Sequence, residues 1–137
     1  DFRENKKYIE TIKKLDILEK NPEKQIIVYM LYDMPWPFSD RDLVNKMTVD
    51  VQENSIIMQS RPANHLVKPA NNVVRLNDFH EKWELERISE HKTRLFLQGH
   101  ANPEINFPGW IINIFAVSEP YSLIKGIKTE AEKNIPY

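Results

Sequence analysis

The sequence Met34-Pro-Trp-Pro-Phe-Ser-Asp-Arg-Asp-Leu-Val44 predicts a rigid corner between two apolar segments. Pro35 and Pro37 flank Trp36, and because proline lacks a backbone N–H, a β-strand has to end there. The segment before the corner, Gln25 to Tyr32, is rich in Ile, Val and Tyr and is predicted to be a buried strand. The corner therefore joins two strands of a sheet.

The residues that follow the corner alternate between the two faces of a predicted strand. One face carries Leu43, Asn45, Met47, Val49 and Val51. The other face is mostly polar, and this period of two is typical of a strand with one buried face. Glu53-Asn54 predicts a turn into a hairpin partner from Ser55 to Ser60. The segment from Arg61 to Asn72 contains two prolines and is predicted to be a loop.

Two longer segments predict the rest of the sheet. Val73 to Ile88 is predicted to be one long strand, and Thr93 to Ala101 is its partner after a turn at Glu90-His91. In the longer strand, one face carries Phe79, Glu81, Trp83 and Leu85. The segment from Ile9 to Leu18 mixes helical and alternating spacing, so its pattern leaves both structures open.

The C-terminal part of the chain predicts one long helix. Pro108 suits its first turn, and apolar residues recur at helical spacing from Trp110 to Ala131. Pro120 lies inside this helix and is expected to kink it near Ala116. These patterns predict an α+β fold, a curved antiparallel sheet closed by one long helix. At the other end of the chain, residues 1–8 are predicted to be a short polar helix.

A second motif precedes the long helix and makes the family resemblance specific. Asn102-Pro-Glu-Ile-Asn-Phe-Pro-Gly-Trp-Ile-Ile-Asn113 follows the proline-rich corner at a distance of seventy residues. In this order and spacing, the two motifs resemble the START family, the lipid-transfer domains related to the steroidogenic acute regulatory protein. The resemblance implies the helix-grip fold, in which the helix covers an apolar cavity. It also implies a container for a hydrophobic molecule and not an enzyme.

The resemblance covers the middle and C-terminal portion of one START-like domain, residues 1–137. The family's N-terminal helix and first three strands have no counterpart in this sequence. Without those strands, the strand from Gln25 to Tyr32 is expected at an unpaired edge of the sheet. In the loop before the helix, Glu104 and Ile105 stand where the family has glycines.

START relatives whose ligand is known bind its headgroup with particular side chains that this sequence lacks. In phosphatidylcholine-binding relatives, aromatic side chains enclose the choline, and the matching positions here are Met30, Asn45 and Gly99. The position of the arginine that binds the phosphate in those relatives is Asn5 here. The arginine of steroid-binding relatives falls on Met47. The resemblance therefore implies a lipid, a fatty acid or a sterol-like molecule, but neither of those two headgroup sites.

The ligand contacts that we expect combine the resemblance with the shared faces of the strands and the helix. They are Met30, Asn45, Met47, Met58, Phe79, Glu81, Trp83, Leu95, Leu97, Phe107, Trp110, Ile111, Ile114 and Phe115. Loading and release would require transient contact with a membrane surface. A catalytic residue, a metal and a cofactor are not expected.

Each of three charged residues allows two interpretations. Arg41 and Asp42 either hold the corner through hydrogen bonds or an ion pair, or bind an anionic ligand at the cavity mouth. Glu81 is an acid on the predicted cavity face, so it either has a partner, such as Arg75 or a residue of the family's N-terminal segment, or faces solvent.

Composition limits the remaining classes of function. A net charge of -1 provides no basic field for nucleic acid, and no histidine pair has the spacing of a metal site. The absence of cysteine excludes a disulfide framework and fits a reducing compartment, so we expect a cytoplasmic protein. We also expect it to be a monomer. The alternatives are an enzyme of the helix-grip superfamily, such as an aromatase or cyclase, and an interaction domain whose cavity is filled by side chains.

Overall fold

The computed structural model describes residues 9–21 and 24–133, and seven strands and a C-terminal helical segment form one α+β unit there. The strands are β1 (Ile12–Asn21), β2 (Gln25–Tyr32), β3 (Arg41–Val51), β4 (Ser55–Pro62), β5 (Val74–Arg75), β6 (Phe79–Ser89) and β7 (Lys92–Ala101). Their order in the sheet is β1-β2-β3-β4-β6-β7, and these neighbours are antiparallel. The predicted fold class is confirmed. The predicted helix at residues 1–8 lies outside the described residues.

The strand β2 does not lie at an edge of the sheet, and that prediction is wrong. β1 pairs with β2 along its whole length, from Ile12 opposite Tyr32 to Asn21 opposite Gln25. The register shifts twice, between Ile12 and Lys14 and between Ile17 and Glu19. Each shift interrupts strict alternation, which explains why the sequence pattern left this segment ambiguous.

The predicted strand from Val73 to Ile88 is two strands, so this prediction also needs correction. β4 pairs with β3 only as far as Asn45, so the first residues of β3 have no partner from β4. β5 pairs in parallel with two of these residues, Arg41 and Asp42. The chain then bends before β6 begins at Phe79. The bend is held because the side-chain amide of Asn64 donates to the backbone oxygen of Leu76, with 2.7 Å between the atoms. Asn64 belongs to a short 3-10 helix (Asn64–Leu66) inside the segment predicted to be a loop.

The C-terminal helical segment has three parts. α1 (Gly109–Asn113) and α2 (Glu119–Lys133) are α-helical, and Ile114–Ser118 between them is a π-helical turn. Pro120 has no N–H to donate to residue 116, and its ring excludes the carbonyl of that turn. The wider π turn includes Ala116, where the sequence predicted an irregularity in the helix.

The two faces of the sheet carry separate apolar clusters. The inner cluster consists of Ile12, Val28, Met30, Leu43 and Leu76, with Phe79 packed against it. The outer cluster consists of Ile27, Tyr29, Val44 and Ala63. Because successive residues of a strand point to opposite faces, β2 and β3 contribute to both clusters.

Candidate ligand-binding site

The strand register places all nine predicted strand contacts on one face of the sheet. Residues directly opposite each other on neighbouring strands point to the same face, and so does every second residue of a strand; we say that such residues share a parity. In β3, Asn45 and Met47 share the parity of Leu43, which lies opposite Met30. Traced through β4, β6 and β7, the residues of this parity include Met58, Phe79, Glu81, Trp83, Leu95 and Leu97. The ring of Tyr32, on this parity in β2, meets the ring of Phe115 edge-on at 6.3 Å between centroids. This inner face is therefore the one that the helical segment covers.

The helical segment is joined to the sheet by side chains at one end. Besides the Tyr32–Phe115 contact, the backbone N–H of Thr11 donates to Glu119 Oε1 at 3.0 Å. Ile111 and Leu123 are buried, and Ile114 and Phe115 are half-buried. Among the described residues, the helix backbone makes hardly any close approach to a strand. Side chains or a bound molecule therefore have to fill the space between helix and sheet.

A group of polar side chains lies in the middle of the inner face; we call Asn45, Ser60, Glu81 and Trp83 the polar patch. Asn45 is 2% exposed and Ser60 0%. The Asn45 amide nitrogen donates to Ser60 Oγ at 3.3 Å. Asn45 Oδ1 and Trp83 Nε1 are buried and have no hydrogen-bond partner in the structure. The patch thus holds one buried acceptor and one buried donor that are unused.

Glu81 lies between Ser60 and Gly99 in the strand register. Burial raises the pKa of this carboxyl above its usual value of 4.5, and the nearby indole N–H of Trp83 partly opposes the shift. That N–H does not reach the geometry of a hydrogen bond. The predicted pairing of Glu81 with Arg75 is wrong, because Arg75 lies on the outer parity and binds another acid.

Asp42 is the partner of Arg75, and the two form a buried ion pair on the outer side of the sheet. Arg75 Nε donates to Asp42 Oδ1 at 2.6 Å, and Nη2 donates to Oδ2 at 2.9 Å. The Asp42 side chain is 0% exposed and that of Arg75 8%. Arg75 Nη1 also donates to the backbone oxygens of Asn64 and Val67. Asp42 therefore holds structure and does not face the cavity mouth.

Arg41 and Asp42 do not pair with each other, because adjacent residues of β3 point to opposite faces. The Arg41 guanidinium donates to the backbone oxygens of Ser39 and Pro103. It lies 4.9 Å from the centroid of the Phe107 ring. Arg41 thus joins the proline-rich corner to the loop before the helix, which fits the predicted role of holding the corner.

The corner and the 102–107 loop together form a rim at one end of the inner face. The rings of Phe38 and Phe107 meet edge-on at 5.0 Å, so Phe107 packs into this rim. Glu104 has a φ of 69°, the left-handed conformation that glycine adopts most readily. Asn102 Oδ1 accepts from the Glu104 N–H at 3.0 Å and supports that turn. A groove of about 450 Å³ lies along this loop and reaches Ile112.

Several apolar side chains near the rim and on the helix are open to solvent. Trp36, between the two prolines of the corner, is 91% exposed. Trp110 is 56% exposed, whereas its neighbour Ile111 is buried. Trp110 therefore lies apart from the buried side of the helix, and its contact with ligand stays a prediction. Ile105, Ile112, Val117 and Tyr121 are also exposed.

No group of three or more acidic or histidine side chains in residues 9–21 and 24–133 could hold a metal ion. His80 and His100 stack with ring centroids 4.9 Å apart, and His100 Nε2 lies 3.1 Å from Asp78 Oδ2. Within the described ranges, no helix combines the length and apolarity needed to cross a bilayer.

The sequence is similar to three curated proteins at 25–27% identity, and no family model matches it. It is 27% identical over 106 residues to an uncharacterised protein of Pseudomonas aeruginosa, covering 77% of this chain and 52% of that protein. It is 26% identical to the phosphatidylcholine transfer protein of Mus musculus, covering 72% of this chain and 48% of that protein. It is 25% identical to the phosphatidylcholine transfer protein of Rattus norvegicus, covering 91% of this chain and 59% of that protein. The chain thus spans about half the length of the curated relatives it matches.

Solved structures decide the fold. The STAR-related lipid transfer protein of Xanthomonas axonopodis superposes with a TM-score of 0.75 at 19% identity, covering 93% of this chain and 71% of that one. The chain folds as a START-like domain. Human STARD10 superposes with a TM-score of 0.70 at 14% identity, covering 96% of this chain and 53% of that one. The START-like fold places the inner face and the helical segment where the predicted ligand contacts lie.

Proposed function

We propose that this START-like chain binds one hydrophobic molecule between the inner face of the sheet and the helical segment, and carries or senses it. The observation that carries the proposal is the inner face itself, where apolar residues of β2, β3, β4, β6 and β7 share one parity beneath a helix that stands off the sheet. The lipid transfer proteins among its relatives support the same function.

Burial of apolar surface provides the affinity. Each methylene removed from water contributes about 0.8 kcal/mol, so a long acyl chain gains more than ~10 kcal/mol before the costs of binding. At that affinity, escape into water is slow, and release requires contact with a membrane. The rim and its exposed Trp36 are the part of the surface that we propose touches the bilayer, because tryptophan favours the interface between water and lipid.

We propose no catalytic role for the inner face. Among the described residues, its buried polar side chains form the small polar patch, which contains no histidine or lysine, and no observation favours the cyclase alternative. We further propose that the chain is part of one START-like domain that acts as a monomer in the cytoplasm and uses no cofactor.

The function is tested by measuring uptake of a fluorescent fatty acid and a fluorescent sterol by the delipidated full chain. We expect saturable uptake of at least one probe at one molecule per chain. Trp36→Ala should slow transfer from vesicles without changing the amount bound at equilibrium. Phe96→Ala removes an exposed aromatic side chain from the outer face and serves as the control. Absence of uptake for both probes would contradict the proposed function.

A further inference from the structure

Glu81 is a half-buried acid in the middle of the inner face, and the apolar container does not explain its charge. Within residues 9–21 and 24–133, its carboxyl forms no ion pair, and the nearby Trp83 N–H does not reach the geometry of a hydrogen bond. Burial raises the pKa of Glu81, which means that its ionised form lowers the stability of the fold. Glu81 therefore has a cost in stability that no partner among the described residues offsets.

The residues beside Glu81 leave space next to its carboxyl. Ser60 of β4 and Gly99 of β7 lie directly opposite Glu81 on its two sides. A Cβ atom at Gly99 would lie 3.9 Å from Glu81 Cγ, so the missing side chain of Gly99 leaves one flank of Glu81 open. A small polar group of a ligand therefore has room beside the carboxyl on the side of β7.

Three described cations of the strands share the parity of Glu81, and each is distant or bound elsewhere. Lys20 of β1 lies in the same row of the ladder, but four steps across the sheet separate it from Glu81, about 19 Å along the sheet. Arg87 lies six residues further along β6, about 20 Å away, and is exposed. Arg41 donates to two backbone oxygens of the rim.

A second acid adds to the negative charge around Glu81. Burial raises the pKa of the Tyr32 hydroxyl, and the charges of Glu81 and Glu119 raise it further. Both carboxyls therefore act on the same hydroxyl beneath the helical segment, which places the Glu81 carboxyl on the ligand side of the sheet. Glu119 has a partner, because it accepts from the backbone N–H of Thr11. The negative potential of the two acids favours a cation over an anion.

We infer that Glu81 binds a cationic polar end of the ligand, a protonated amine whose hydrocarbon part occupies the apolar inner face. The ammonium N–H groups donate to the carboxylate oxygens, so the ligand supplies the counter-charge that Glu81 lacks. This inference rests on the proposed function and specifies the chemistry of the ligand's polar end. An ammonium group occurs in single-chain amines and in phospholipids with an ethanolamine headgroup, and the probes below distinguish these two sources.

Two matched pairs of probes with an 18-carbon chain test the inference on the full chain. The first pair is oleylamine and oleyl alcohol, and the second is oleoyl lysophosphatidylethanolamine and oleoyl lysophosphatidylglycerol. In each pair, hydroxyl groups replace the ammonium group, which is protonated near neutral pH. In at least one pair, we expect the ammonium probe to bind about tenfold more tightly than its hydroxyl partner. Competition against a fluorescent probe gives the four dissociation constants, and the pair with the preference identifies the source.

Three variants assign the preference to the charge of Glu81. Glu81→Gln keeps the size of the side chain and removes the charge, so the preference for the ammonium probe should fall below about threefold. Glu81→Met is also uncharged and of similar length, and it repeats the test on an independent variant. Glu84→Gln is the matched control, because Glu84 is a half-buried acid on the outer face of the same strand. It should keep the preference of the unaltered chain.

The outcomes distinguish failure of the inference from failure of the proposed function. Equal binding within both pairs by the unaltered chain would overturn the inference and leave lipid binding intact. A preference that persists in Glu81→Gln or Glu81→Met, or one that Glu84→Gln also abolishes, would overturn it as well. Absence of binding by all four probes would overturn both. The comparison within each pair in the unaltered chain needs no variant, so a lack of preference there is decisive by itself.

Discussion

Val44 and Asn45 are neighbours in β3, yet they face opposite environments. Val44 is buried in the outer cluster, beside which the Asp42–Arg75 ion pair has all its hydrogen bonds formed. Asn45 lies on the inner face, where Asn45 Oδ1, Trp83 Nε1 and Arg41 Nε are buried without a hydrogen-bond partner. The ion pair on the outer side is satisfied by the chain itself, whereas the inner face leaves buried polar atoms without a partner, and we propose that a ligand binds there. We therefore assign stability chiefly to the outer face and binding to the inner face.

The largest expected effect on stability comes from breaking the outer ion pair. Arg75→Leu leaves the carboxylate of Asp42 buried without a partner, which should lower the free energy of unfolding by about 3–5 kcal/mol. Urea denaturation measures this loss. Arg94→Leu removes the cation of the exposed pair with Glu86 and should cost less than about 1 kcal/mol. Similar losses in the free energy of unfolding for the two variants would show that the outer ion pair contributes no more to stability than an exposed pair.

Arg41→Leu should have a smaller effect that combines stability and release. The variant loses hydrogen bonds from a charged group to Ser39 and Pro103, which are together worth about 1–3 kcal/mol. It also separates the 102–107 loop from the corner, so a bound probe should dissociate faster. Stopped-flow dissociation and thermal unfolding measure the two effects. Unchanged dissociation would show that the rim does not control the exit of ligand.

Overpacking separates a filled face from one with free space. Val44→Phe inserts extra volume into the outer cluster and should cost about 1–3 kcal/mol of stability. Met58→Trp adds volume on the inner face, where the side chain is only half-buried. It should change stability by less than about 1 kcal/mol but strongly reduce probe binding. A large loss of stability in Met58→Trp with normal binding would mean that the inner face is a solid core.

The smallest expected effect is a pH dependence from Glu81. Its pKa in the folded chain is raised above the usual value of 4.5, so its contribution to stability is complete below pH 4.5 and is lost as the pH rises through the folded-state pKa. Glu81→Gln stays uncharged, so it should be more stable than the unaltered chain near neutral pH, and the difference should shrink toward pH 4.5.

Thermal unfolding at a series of pH values measures this difference. Glu119, whose pKa burial also raises, is present in both proteins and cancels in the comparison. Glu86→Gln, at an exposed position, is the control. A stability gain of Glu81→Gln that grows as the pH falls would contradict the account.

The inner face could be predicted from the sequence because strict alternation is a local property. The parity of Leu43 to Val51 and of Phe79 to Leu85 placed Asn45, Met47, Glu81 and Trp83 on the helix side, as the register confirms. The position of the helical irregularity followed from Pro120 alone.

Features that depend on distant contacts could not be predicted in this way. The bulges of β1 hide its strand character. β5 depends on backbone hydrogen bonds to Asp40 and Asp42 and on the Arg75–Asp42 ion pair, whose members lie thirty-three residues apart in the sequence. The unused atoms of Asn45 and Trp83 depend on the final position of every neighbour. Residue type alone suggested polar contacts at Asn45 and Glu81 but could not identify which atoms lack partners.

The central claim is that a lipid occupies the inner face, and native mass spectrometry tests it most directly. The full chain is incubated with oleyl alcohol or with vesicles, separated from excess lipid and measured beside Met58→Trp and Val44→Phe. The account predicts one bound lipid per chain in the unaltered protein and in any folded Val44→Phe, and a strongly reduced fraction in Met58→Trp. No bound lipid in the unaltered protein, or equal occupancy in Met58→Trp, would contradict it.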